Sequence, residues 1–402
     1  MSATTGHRPG LNRNVWLLFL CQALVNASSI SQVSMSALIG FSLAADKTLA
    51  TLPYALQMAA TMAASIPAGI IFARLGRKAG FYLGTACMLL GTVVFGIGVW
   101  QGNFLLYCLG ALPTGIGFGI GQHYRFAAAE VAGPQARSRA IALVMAGGVV
   151  SAILGPELVK HTMLLTAPVL FLGTYVAMTL LPVIGAVLLS VSEMPPPPPR
   201  AVSPTPLRVI MARPAFVVAA VAGLVGYGSM NLIMAATPLQ MMLCGYGVGD
   251  STDIIRAHAI AMFAPGFVTG RLIQRFGAHA VICAGGVLTI ACAALSLAGS
   301  AYATFVVSLM LLGLGWNFMF VGATALLSTA HDARERVRAQ AANDFIVFGT
   351  VAITAFSSGA LHSNVGWVAV NGAVVPPVIL ALGLVLWHRV SRTSDTRVLA
   401  VG

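Results

Sequence analysis

The chain has 402 residues, of which 58% are hydrophobic and only 8% charged, whereas soluble domains run at about 25% charged. A water-soluble enzyme or binding module is therefore excluded at the outset. The net charge of +12 does not mark a nucleic-acid protein, because the basic residues sit in short loops between apolar runs long enough to cross a bilayer rather than on one solvated face.

In chain order, twelve spans are expected: Val15–Leu43, Leu49–Phe72, Ala79–Trp100, Phe104–Tyr124, Ala140–Val159, Ala167–Val191, Pro214–Met242, Ile254–Ile273, Ala278–Leu297, Ala303–Leu327, Ala339–Leu361 and Gly366–Trp387. The first is too long for the apolar core of a signal peptide and stays as a span. It is also unusually polar, with Gln22, Asn26, Ser29 and Ser36 at spacings that share one helix face. Amides facing lipid would go unsatisfied, so this stripe faces a wet cavity or a polar partner helix.

Between the second and third spans lies Gly69-Ile-Ile-Phe-Ala-Arg74-Leu-Gly76-Arg77-Lys78. The fourth span carries Gly115-Ile-Gly-Phe-Gly-Ile-Gly121, which looks like a dinucleotide loop but lies inside an apolar run, where alternate glycines serve helix packing. His123, Arg125 and Glu130 follow at its end, with Glu130 placed to pair with Arg77. Gly155-Pro156 in the fifth span reads as a proline kink, and Glu157 beside it reads as solvated. Five prolines, Pro195–Pro199, lie in a linker over 192–213 that separates residues 1–191 from 214–402 and reads as a stiff polyproline tether.

The seventh span offers Tyr227 and Asn231 on one face. The eighth contributes His258, which can titrate near neutral pH, and the tenth contributes the neighbours Trp316 and Asn317. A ring beside an amide suits a planar organic solute, although Trp316 reads almost as well as a packing aromatic. Asp344, early in the eleventh span, is either an ion-pair lock or a proton carrier. The cysteines Cys21, Cys87, Cys108, Cys244, Cys283 and Cys292 have no metal-ligand or redox spacing, so neither disulfides, metal nor cofactor are expected.

The loop motif is written twice. A shift of 201 residues carries Gly69 to Gly270, Arg74 to Arg275, Gly76 to Gly277, Gly84 to Gly285 and Arg137 to Arg338, so the chain is one half repeated. Tyr227 is the mate of Asn26 under the same shift. The loop resembles the signature G-x-x-x-D-R-x-G-R-R/K of the major facilitator superfamily of membrane transporters, with Ala73 and Gln274 at the acidic position. The resemblance extends over the whole chain and implies an all-α membrane fold of two six-helix bundles with a central site between them.

It implies a transporter rather than an enzyme: a secondary carrier moving a small organic solute by alternating access, with protons as the expected coupling ion. Drug or metabolite efflux and a non-transporting sensor are the alternatives. Substrate contacts are expected at Gln22, Asn26, Ser29, His123, Tyr227, Asn231, His258, Trp316 and Asn317. Gating or coupling is expected at Gly69, Arg74, Gly76, Arg77, Arg125, Glu130, Gly270, Arg275 and Asp344, with Asp344 standing in for the missing loop acid opposite Arg74, Arg77 or a neighbouring base. Of the 22 Lys and Arg residues, Lys47, Lys160 and Arg256 alone fall on one side. That asymmetry puts both termini in the cytoplasm; the resemblance implies a protein of the bacterial cytoplasmic membrane, expected as a monomer with no nucleic-acid partner.

Overall fold

A run of apolar residues about 20 long has one way to satisfy its backbone in lipid, which is to coil into a helix. The computed structural model describes residues 12–194, 205–332 and 334–399, and every regular element among them is helical. Among the described residues, eleven helices are long and apolar enough to cross a membrane: Arg13–Leu43, Leu52–Phe72, Arg74–Trp100, Phe104–Val131, Arg139–Thr162, Leu172–Ser190, Pro214–Leu243, Ala278–Leu297, Tyr302–Leu327, Arg338–Val365 and Trp367–Ser391. The expected eighth span is present as two shorter helices, Val248–Phe263 and Gly266–Phe276. They part at Ala264-Pro265, where proline lacks the N–H that would continue the ladder. Of the linker over 192–213, the five prolines Pro195–Pro199 lie outside the described residues, while its end forms a short helix, Leu207–Met211.

Small residues let these helices approach. A Cβ at Gly115 would stand 2.2 Å from the Gln57 carbonyl oxygen, one at Gly117 2.3 Å from Met88 Cγ, one at Gly119 3.0 Å from the Thr61 carbonyl oxygen and one at Gly121 2.9 Å from Val25 Cγ1. The alternate glycines thus wedge the fourth span against the second, third and first, which settles the dinucleotide-like stretch as packing. Gly155 likewise lies against the first span, 3.0 Å from the Ala27 carbonyl oxygen by the same measure. The repeat mates Gly84 and Gly285 occupy equivalent tight contacts, against Ile120 and against Gly315 with Met319.

The loop motif has a different basis. Gly76 has φ 82° and ψ 165°, and its mate Gly277 has φ 82° and ψ 156°. That region of backbone space is essentially closed to residues with a Cβ, so this glycine turns the hairpin in both copies. Close helix approach is not what Gly270 serves, because nothing lies within 4 Å of a Cβ built there; Gly69 is buried in the second span. Gly76→Ala and Gly277→Ala are each expected to cost about 1–3 kcal/mol, read as a lower thermal unfolding midpoint, while Gly270→Ala stays near wild type.

Basic residues secure the end of the bundle where the first span begins, here the near end. Arg13 Nη2 donates to the Val191 carbonyl at 2.8 Å. Lys78 Nζ donates to those of Ser190 and Ser192 at 2.9 Å each, in keeping with cations at helix C-termini. Arg213 grips Glu335 through two bonds of 2.6 and 2.9 Å. Those bonds, with the Asp332 N–H, hold the Glu335 carboxyl down from 4.5 to about 2. A depressed carboxyl contributes stability in full above its unfolded value and loses it as pH falls through the folded one. Wild type should therefore lose stability as pH falls from 4.5 toward 2, and Glu335→Gln should show less of that loss in thermal unfolding scans.

Candidate functional site

The polar stripe of the first span and the aromatic residues of the seventh and tenth spans meet around one central cavity, of which about 90 Å³ admits a water-sized sphere. Gln22, Asn26 and Ser29 line one side, and Gln22 Nε2 donates to Asn26 Oδ1 at 3.0 Å. That bond fixes the orientation of the two amides, leaving Asn26 its N–H₂ donors and Gln22 its carbonyl for other partners.

Asn231 lies on the facing wall. It accepts from Tyr54 Oη at 3.0 Å and donates to the Val351 carbonyl at 3.2 Å and Thr354 Oγ1 at 3.1 Å. One amide thereby ties the second, seventh and eleventh spans at the cavity wall.

Trp316 anchors an aromatic group. Its ring stacks on Phe320 at 5.2 Å and 15° and stands edge-on to Tyr227 at 5.4 Å and to Phe263 at 5.7 Å. Offset and edge-on pairs of this kind stabilise one another beyond their buried area. Met145, Met230, Met234 and Met262 complete the apolar wall, supplying side chains that adapt to an occupant's outline.

Arg125 closes the cavity toward the near end. Its Nη2 lies 3.6 Å from Asp344 Oδ1, and both side chains are only 4% exposed. The guanidinium also lies over the rings of Phe126 at 4.7 Å and Phe320 at 5.4 Å, and Asn343 Nδ2 donates to Asp344 Oδ1 at 3.3 Å. The pair joins the fourth span to the eleventh. The partner of Asp344 is therefore Arg125 and neither motif arginine: Arg77 is held by Glu130, through bonds of 3.0 and 2.5 Å, while Arg74 is exposed. Arg275 is exposed too and lies over its neighbour Phe276 at 5.2 Å.

At the far end a second set of charges joins the fifth span to the eighth. Lys160 reaches Asp253 at 2.7 Å, Arg256 reaches Asp253 at 3.3 Å and also Glu157, and His161 lies 3.1 Å from Glu157. The expectation that Glu157 is simply solvated is thus corrected, since the eighth span brings Arg256 to it.

Of the nine expected contact residues, Gln22, Asn26, Ser29, Tyr227, Asn231 and Trp316 line the cavity and three do not. His123 is packed edge-on against Phe72 at 5.1 Å. His258 is fully buried with Nδ1 2.7 Å from the Leu309 carbonyl, so it braces the eighth span against the tenth. Asn317 donates to the Met262 carbonyl at 2.6 Å and accepts from Thr269 Oγ1 at 2.6 Å, stitching together the two helices that part at Pro265. Sequence reasoning missed Tyr54, Gln122, Phe263 and Phe320, which do line the cavity. Phe320 was findable, being one turn beyond Trp316 on the same face; Tyr54 had no local signal.

The family model of the Major Facilitator Superfamily matches residues 16–264 and 245–400. The riboflavin transporter RfnT of Brucella anthropi is 37% identical over 374 residues, covering 92% of this chain and 94% of the relative. An uncharacterised MFS-type transporter of Bacillus subtilis, YdeG, is 25% identical over 402 residues, covering 94% and 92%. Among solved structures, the transporter FucP in its outward conformation superposes with a TM-score of 0.67 over 92% of this chain and 96% of its own, at 17% identity, a likeness of fold. With the repeated loop motif, the twelve-span bundle and these matches together, the chain belongs to the major facilitator superfamily: it is an integral membrane transporter.

Proposed function

We propose that this protein carries a planar, uncharged organic solute of the riboflavin class across the cytoplasmic membrane by alternating access. The observation that carries the reading is the makeup of the cavity wall. Trp316, Phe320, Tyr227 and Phe263 offer flat apolar surface for a ring system. Gln22, Asn26 and Gln122 offer amides for carbonyls and hydroxyls. The one charged side chain among the lining residues, Arg125, is balanced by Asp344. A cavity so built has no surplus charge for a phosphate or carboxylate, and desolvating such a group there is costly. The 37% identity to a riboflavin transporter supports the same solute class.

The movement follows from the two sets of ion pairs. We take residues 1–191 and 214–402 as two halves joined by the linker at 192–213 and rocking about the cavity. Arg125 and Asp344 tie them at the near end, while Glu157 and Lys160 meet Arg256 and Asp253 at the far end. Opening at either end requires breaking its own set. The basic-residue asymmetry supports a cytoplasmic position for the near end and both termini. Asp344 acts as a lock, since its carboxylate faces a fixed cation.

Ligand stabilisation of the purified protein tests the reading. Riboflavin should raise the unfolding midpoint in a concentration-dependent way, and riboflavin 5′-phosphate should do so far less. Equal stabilisation by the phosphate, or none by riboflavin, would refute the proposed solute class.

A further inference from the structure

Arg125 belongs to two arrangements at once, as a wall of the cavity and as half of the ion pair that joins the fourth span to the eleventh. Its tie to Asp344 is loose. The separation is 3.6 Å, against about 2.7–2.9 Å for a well-formed charge-assisted bond. Its Nε is buried and has no hydrogen-bond partner among the described residues. The same holds for Trp316 Nε1 on the same cavity.

Buried donors are nearly always satisfied, so two unmet N–H groups on one wall call for acceptors. The two are linked through Phe320, whose ring stacks on Trp316 and lies beneath the Arg125 guanidinium. An occupant that stacks on this group and carries carbonyl or ring-nitrogen acceptors along one edge would meet both. The dione edge of a flavin ring is of that kind, and to this extent the inference rests on the solute class proposed above.

We propose that the acceptor edge of the solute and the Asp344 carboxylate compete for the Arg125 guanidinium, so that filling the cavity loosens the near-end tie. Arg125 is then a solute-binding residue, and Asp344 is its competitor as well as its lock. The loose pair suits this exchange. At 3.6 Å from its carboxylate the guanidinium has no full hydrogen bond to surrender when it turns to an uncharged acceptor, and it stays near enough to remain the counter-charge of Asp344. The solute supplies in the cavity what the eleventh span gives up.

This makes a prediction of sign that a plain lock does not make. If the pair were only a lock, Arg125→Gln and Asp344→Asn would break the same contact and shift solute affinity in the same direction. Under competition they act oppositely: Asp344→Asn frees the guanidinium for the solute, and Arg125→Gln removes it.

The experiment titrates riboflavin into detergent-purified wild type, the two single variants and the double variant, read by quenching of flavin fluorescence. Asp344→Asn should bind about tenfold tighter and Arg125→Gln about tenfold weaker, each the worth of one charge-assisted hydrogen bond. The double variant should bind as weakly as Arg125→Gln, and its matched amide pair serves in place of Arg125→Gln should the latter fail to fold. Shifts of the two single variants in one direction, or a double variant that binds like wild type, would overturn the competition alone. Absence of riboflavin binding by folded wild-type protein would overturn the solute class and the competition with it, a distinct result.

Discussion

Arg125→Gln, with Asp344 left in place, should destabilise the protein by about 3–5 kcal/mol, the range for stripping a buried charge of its partner. Asp344 is 3% exposed, and without Arg125 its described hydrogen-bond donor is Asn343 at 3.3 Å. A carboxylate so placed has neither water nor counter-charge. The double variant Arg125→Gln/Asp344→Asn should recover most of the loss, because two facing amides carry no charge into the interior. Thermal unfolding of the three proteins in detergent checks this. A single variant as stable as wild type would show that the pair is not what neutralises Asp344.

Trp316→Ala should produce the second large effect, this time on binding. Stacking of a heteroaromatic ring on an aromatic side chain is worth about 1–3 kcal/mol, or roughly 5- to 150-fold in affinity. Truncation also removes the surface on which Phe320, Tyr227 and Phe263 are arranged. Trp316→Phe keeps a flat ring and should lose much less. Riboflavin titration of both variants, alongside their unfolding midpoints, separates lost stacking from lost folding; equal affinity in Trp316→Ala and wild type would remove the aromatic group from the site.

The fold was legible because membrane insertion constrains sequence so strongly. Long apolar runs and the doubled loop motif announced twelve spans in two copies, and even the positive φ at Gly76 and Gly277 left its trace as a repeated glycine. A repeated glycine does not state its reason, however. Gly270 recurs with the same spacing as Gly277, yet no neighbour lies within reach of a Cβ there. Pro265 was visible in the eighth span, but whether a helix bends or breaks at proline depends on what satisfies the backbone there, and here Asn317 of the tenth span donates to the Met262 carbonyl.

The site was legible where a helix face expresses it. Gln22, Asn26 and Ser29 follow the helical period and line the cavity. Gln32, on the same polar helix, instead joins Tyr107 and Tyr175 at 3.3 and 2.9 Å, a contact made by packing of the fourth and sixth spans. His123 and His258 drew notice by residue type alone, and type does not disclose that Phe72 or the Leu309 carbonyl occupies their surroundings. Arg125 and Asp344, like Glu157 and Arg256, come from spans far apart in sequence. Their pairing is a property of the tertiary arrangement that no local pattern encodes.

Counterflow in proteoliposomes tests the central claim most directly. Vesicles holding the purified protein are loaded with unlabelled riboflavin and diluted into a trace of labelled riboflavin. The account predicts a transient accumulation of label that is absent from protein-free vesicles and abolished or strongly reduced by Trp316→Ala. Label that never rises above the protein-free level, with the protein folded and binding-competent in the same vesicles, would contradict it.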